Sequence, residues 1–107
     1  MEIKQYDVYW VNLDPTIGRE MKKTRPCLVI SPNEMNENIG TVIIAPLTTT
    51  MRNYPSRIKC TLSGKSGMIA LDQIKTIDKK RLANRIGKID NNTIRLVKLT
   101  IEVMLVK

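Results

Sequence analysis

The residue types best equipped for chemistry are gathered in one stretch, Arg19, Glu20, Lys22, Lys23, Thr24 and Arg25, which runs directly into the apolar segment Pro26, Cys27, Leu28, Val29 and Ile30. One mobile polar loop therefore carries a carboxylate, a hydroxyl and several cations, anchored beside a rigid strand. A planar guanidinium such as that of Arg25 can grip two oxygens of a phosphate and remains charged at any ordinary pH. The chain contains no histidine, so acid–base chemistry falls to carboxylates, hydroxyls or the cations. Glu20 is the loop carboxylate beside Arg25 and is the candidate base. Arginine's high pKa makes Arg25 a poor proton shuttle, which leaves it mainly an electrostatic role. A second run, Thr48, Thr49 and Thr50, adds hydroxyls able to donate to an oxyanion, and leads to Arg52 and Tyr54.

The elements that position these groups follow from the apolar pattern. Residues 7–13 are β-rich with apolar side chains on both faces, which suits a central strand; Trp10 is expected in its core. Asp14 and Pro15 end it, and residues 14–24 form a polar loop in which Gly18 supplies backbone freedom. Pro26 opens a second strand, where its missing N–H is tolerated. Ser31, Pro32 and Asn33 make a turn before a polar stretch to Gly40. A third strand spans 41–45 and ends at Pro46. Residues 57–62 alternate cleanly, 63–67 turn, and 67–71 make a fifth strand. Asp78 can cap a single helical turn, and 83–89 read as a sixth strand.

Asp90 then caps a C-terminal helix to about Val106. At about 100° per residue, Ile94, Val97, Ile101, Met104 and Leu105 form one apolar stripe, and Leu96, Leu99, Val103 and Val106 form a second on the opposite side. A helix that only covers its own sheet needs one stripe. Two stripes imply contact with both the sheet and a second subunit, although a dense β-branched run also permits a final strand. Five or six short strands, long polar loops and a terminal helix imply a mainly β fold, a strongly bent sheet or small barrel with a C-terminal helix.

Composition narrows the partners. The 107 residues suffice for one domain, residues 1–107, with a modest core. Aromatic residues are 4% and Phe is absent, so Val, Ile, Leu and Met fill that core. The net charge of +8 points to a polyanion, its cations concentrated at residues 19–25 and 75–88; nucleic acid and an acidic protein both fit, and so does a merely soluble basic surface. No apolar run approaches the roughly 18 residues of a membrane span, and residues 1–5 lack a signal peptide's apolar segment, so a cytoplasmic location without membrane contact is expected. Cys27 and Cys60 are expected as buried thiols. Without histidine or a Cys-x-x-Cys pair, no metal site and no cofactor are expected.

Several segments in order and at matching spacing resemble the MazF/PemK toxins: DVYWVNLDPT at 7–16, GRE at 18–20, RP at 25–26, VISP at 29–32, PLT at 46–48, YP at 54–55 and LDQ at 71–73. Each piece alone is weak; the ordered set is specific and covers nearly the whole chain. The resemblance implies an SH3-like small β-barrel, a homodimer through the C-terminal helix, and a ribosome-independent, metal-independent endoribonuclease that cuts single-stranded RNA at short sequences. It also implies a cognate acidic antitoxin, MazE- or PemI-like, laid across the active surface.

By position, the resemblance makes Arg25 and Thr48 catalytic and Glu20 an assisting acid, and sets Asp72 and Gln73 near the RNA groove. Arg19, Lys22, Lys23, Thr24, Thr49, Arg52 and Tyr54 are the further candidate RNA contacts. Lys22, Lys23 and Arg52 are assigned to phosphate attraction, and Tyr54 to stacking a base or covering the barrel. Asp72 could equally latch two loops together. One departure stands out: some relatives use an arginine two residues before that aspartate as catalytic acid, and here the position is Ala70. The first loop also departs, with Met21, Lys22 and Lys23 where relatives carry Gln or Gly. Two other functions remain open, a non-catalytic toxin of the same fold acting on DNA gyrase and an inactive RNA-binding module.

Overall fold

The first apolar run becomes β1, Asp7–Asn12, and the computed structural model, which describes residues 2–106, shows it inside a sheet between β2, Thr24–Val29, and β7, Leu82–Lys88. The two end residues of the expected 1–107 domain lie outside the described residues. Both neighbours of β1 are antiparallel to it. Alternation sends Tyr9 and Val11 of β1 and Cys27 and Val29 of β2 into one hydrophobic cluster. Val8 and Leu28 point into a second. Burial on both faces is what a central strand requires, as the residue pattern suggested.

The sheet bends at β3, Thr41–Thr48. One edge of β3 pairs with β2. Along the other edge, Thr41 to Ile44 pair with β6, Lys75–Asp78, while Leu47 and Thr48 pair with β5, Lys65–Ala70. Pro46 lies where that edge changes partner, so it belongs to the strand instead of ending it. The expected stop at Pro46 is corrected on this ground: a proline is compatible with a strand where the ladder is already interrupted. β4, Arg57–Leu62, pairs with β5 at the sheet's end, through a two-residue loop in which Ser63 (φ 51°) and Gly64 (φ 80°) both take left-handed backbone. Two such residues in succession make the turn whose twist suits a hairpin.

Two elements escaped the pattern of apolar residues. Asn33–Asn38 is a short helix, α1, where a polar stretch was expected. It is held by tertiary bonds: Ser31 Oγ donates to Asn36 Oδ1 at 2.5 Å, and Asn36 Nδ2 donates to the Ser31 carbonyl at 3.0 Å. Strand β6 has one buried apolar residue, Ile77, too few for a visible period.

The C-terminal helix α2, Asn91–Ile101, forms as expected, with Asp90 Oδ1 accepting from the Thr93 N–H at 2.7 Å. Val97 is fully buried against the second cluster, flanked by Ile94 and Ile101. Beyond Ile101 the chain winds as a π-type turn, Glu102–Val106. That wider turn changes the angular register, so Met104 and Leu105, expected on the core stripe, are exposed. Leu96, Leu99, Val103 and Val106 are exposed as well.

Candidate active site

Arg25 and Thr48 come together through strand register. In the β2–β3 ladder Val29 faces Ile44, Leu28 faces Ala45 and Cys27 faces Pro46; the pairing ends there, two residues short of Arg25 and Thr48. Arg25 Nε donates to the Lys22 carbonyl at 3.0 Å, which orients the guanidinium. Among the described residues Arg25 has no carboxylate partner, unlike Arg57 and Arg85, and its terminal nitrogens remain free for an incoming anion. Thr48 is nearly buried, and its Oγ1 accepts the Thr50 N–H at 3.1 Å. With a lone pair so used, the hydroxyl hydrogen is the part left to offer.

Both residues line a groove of about 490 Å³. Its apolar floor includes Leu47, Cys60, Leu62 and Ile86, and its rim includes Thr24, Thr49, Lys65 and Ser66. None of its lining residues is a carboxylate. Gly67 is needed for the close packing here: a Cβ on it would stand 3.1 Å from the Thr48 carbonyl oxygen. Cys27 and Cys60 are free and buried; burial pushes the Cys27 thiol up to about 12 and raises that of Cys60 as well, so both are inert thiols.

Glu20 does not reach this groove. Its Oε1 accepts the Ile17 N–H at 2.7 Å within its own loop, and it lines a separate cavity of about 320 Å³ with Met21, Asp72, Gln73 and Lys75. Glu20, the candidate base, lines a different cavity from the one that Arg25 lines and closes its own loop. Gln73 Oε1 accepts the Met21 N–H at 3.3 Å, tying that loop down.

Asp72 is engaged as a latch. Its carboxylate accepts from Arg57 Nε at 2.6 Å, from the second Arg57 nitrogen at 3.0 Å and from Ser56 Oγ at 2.9 Å. The Arg57 hydrogen bond, before any other influence, holds the Asp72 carboxyl below the usual carboxylate range. The Arg57 guanidinium in turn lies 5.4 Å from the centre of the exposed Tyr54 ring. Arg19, Lys22, Lys23 and Arg52 are exposed on the loops around the groove. Among the described residues no cluster of three or more potential ligands could hold a metal ion, and no helix is long and apolar enough to cross a membrane.

The family profile described as PemK-like, MazF-like toxin of type II toxin–antitoxin system matches residues 4–105. The chain belongs to this family. It is 32% identical over 100 residues to a protein named endoribonuclease toxin MazF from Escherichia coli strain K12, covering 92% of this chain and 90% of that one. Its fold is that of a crystal structure of MazF from Deinococcus radiodurans, with a TM-score of 0.87 at 24% identity over 98% of this chain and 97% of the other. A mycobacterial endoribonuclease solved in complex with its cognate antitoxin also shares the fold, with a TM-score of 0.82 at 24% identity over 96% and 94% of the two chains.

In this MazF-like chain Ala70, which stands where some relatives carry an arginine, is fully buried and faces Arg57 across the β4–β5 ladder. Residue patterns alone missed one side of the groove. Trp10, expected in the core, is 42% exposed and lines the groove. Parity was no guide, since Val8 on the same face of β1 is fully buried. Lys65, Ser66 and Gly67 were read only as part of a turn; the lysine amid small residues was the available cue.

Proposed function

We infer that this protein is an endoribonuclease toxin that cleaves single-stranded RNA in the groove over Arg25 and Thr48 and is held inactive by a cognate antitoxin. The observation carrying this reading is that the Arg25 guanidinium, without a carboxylate partner among the described residues, and the Thr48 hydroxyl line one groove. Membership of the toxin family and the activity named for its relatives support the same reading.

RNA brings its own nucleophile. The 2′-oxygen attacks the adjacent phosphorus, its proton passes to a base, and the 5′-oxygen leaves with a proton. The products are a 2′,3′-cyclic phosphate and a 5′-hydroxyl. Arg25 neutralises the two oxygens that gain charge in the phosphorane, and Thr48 donates a hydrogen bond to one of them. Because no carboxylate lines the groove, solvent water takes the 2′ proton and returns one to the departing 5′-oxygen, and Glu20 supports its loop. No resident metal is required, and the protein acts on messenger RNA in the cytoplasm.

Acidic antitoxin and RNA compete for the same cationic surface, as charge complementarity requires. The exposed apolar side of α2, with Leu96, Leu99, Val103 and Val106, joins two copies into a homodimer.

The test is a long, largely unstructured RNA in excess EDTA with wild type and Arg25→Ala in parallel, mapping the 5′ ends. Discrete cuts bearing 5′-hydroxyls, lost in the variant, support the reading. Intact RNA with the wild type refutes it and directs attention to gyrase poisoning or to RNA binding without cleavage. Equal cutting by both proteins removes Arg25 from the mechanism.

A further inference from the structure

The sole tryptophan of the chain is spent on the groove and not on the core. Trp10 stands directly across the β1–β2 ladder from Pro26, the residue after Arg25. Trp10 and Arg25 both line the groove. Trp10 makes no hydrogen bond or ring contact among the described residues. The indole is 42% exposed and stands on the wall of a groove that Arg25 also lines.

We propose that Trp10 is a stacking platform for a nucleobase of the strand whose phosphate Arg25 holds. This rests on the ribonuclease reading and deepens it by giving Trp10 a base subsite. The occupant is argued from chemistry on both sides of the ring. Arg25 and Lys65 on the groove demand negative charge, and the apolar floor of Leu47, Leu62 and Ile86 demands a flat, desolvated group. A single-stranded polynucleotide supplies both in one repeat unit, phosphate and base. Stacking on an indole tolerates any base because each has a π face, so Trp10 contributes affinity and register more than sequence choice. It is a binding residue, and it makes no bond to the reacting atoms.

Because Trp10 is the only tryptophan, intrinsic fluorescence reports on it directly. The probe is an RNA of the cleaved sequence carrying a single 2′-deoxy sugar at the cut, which binds without being cleaved. Saturable quenching on titration into wild type is expected. Trp10→Ala should weaken binding by about five- to 150-fold, the range for one stacked base, and raise KM more than it lowers kcat. Trp10→Phe should recover most of the affinity. The wild-type titration stands even if Trp10→Ala folds poorly, which thermal melting reveals. If the probe binds by anisotropy with unchanged emission, or Trp10→Ala binds as tightly as wild type, the proposal is overturned while the ribonuclease reading survives. If emission responds to an acidic peptide and not to the RNA, the ring serves a protein partner and the proposal is likewise overturned. If wild type neither binds nor cuts any RNA, both readings fall.

Discussion

Replacing Asp72 by alanine removes a carboxylate that accepts three hydrogen bonds, two from Arg57 and one from Ser56. The Arg57 side chain is only 9% exposed and that of Asp72 is 31% exposed. Breaking a wholly buried pair costs about 3–5 kcal/mol, and exposed pairs contribute about 0–1 kcal/mol. This bidentate, partly shielded pair falls between, at about 2 kcal/mol. For a chain of this size that lowers Tm by about 10 °C. Removing Asp72 should cost more than Arg57→Ala, because it strands an enclosed cation, whereas loss of Arg57 leaves a carboxylate that water can reach. The dependence on pH has a definite sign. The Asp72 carboxyl is held below its ordinary value in the folded state, chiefly by the Arg57 hydrogen bond. Its contribution is therefore complete above the unfolded pKa of about 3.9 and fades as pH falls through the lower folded value. Melting curves of wild type and Asp72→Ala should differ by the full amount from neutral pH to about 5 and converge below about 4. A neutral-pH difference under about 2 °C, or one that persists unchanged near pH 3, would refute the latch. RNA cleavage by Asp72→Ala at a temperature where it stays folded adds a second criterion: an altered cut sequence would assign Asp72 to base contact in addition.

Gly67→Ala should push β5 away from the Thr48 carbonyl, costing about 1–3 kcal/mol as overpacking does and lowering kcat; a melt unchanged from wild type would mean the 3.1 Å approach relaxes without strain. Thr48→Val keeps the shape and loses the donor, so kcat should fall about 100-fold or more while Thr48→Ser retains most activity, checked by single-turnover cleavage. Replacing Lys22 by Ala together with Lys23 by Gly should weaken RNA binding and shallow its salt dependence without changing the cut sequence. Glycine is chosen at position 23 because Lys23 has φ 71°; a changed cut sequence in 5′-end mapping would make these lysines base readers. Leu99→Glu with Val103→Glu should give a monomer by light scattering while leaving the Arg25–Thr48 groove folded, and an unchanged mass would exclude this helix face as the subunit contact.

What the sequence by itself determined is what depends on local period and residue type. The β1 and β2 runs, the Asp90 cap and the α2 stripe through Val97 are all visible there, because strand alternation and helix spacing are written in neighbouring residues. The ordered motif set likewise carried the family. Tertiary structure decided the rest. Thr48 and Arg25 line one groove only because β2 and β3 pair in one register, and register is a property of two strands. Pro46 stays within β3 because the sheet changes partners there, and no residue in β3 announces that. Trp10 is partly exposed although Val8 on the same face of β1 is fully buried, because hydrophobicity does not say how far along a strand its cover will reach. Glu20 lies five residues before Arg25 in sequence and lines a different cavity, since a loop's carboxylate satisfies whichever N–H its fold presents, here that of Ile17.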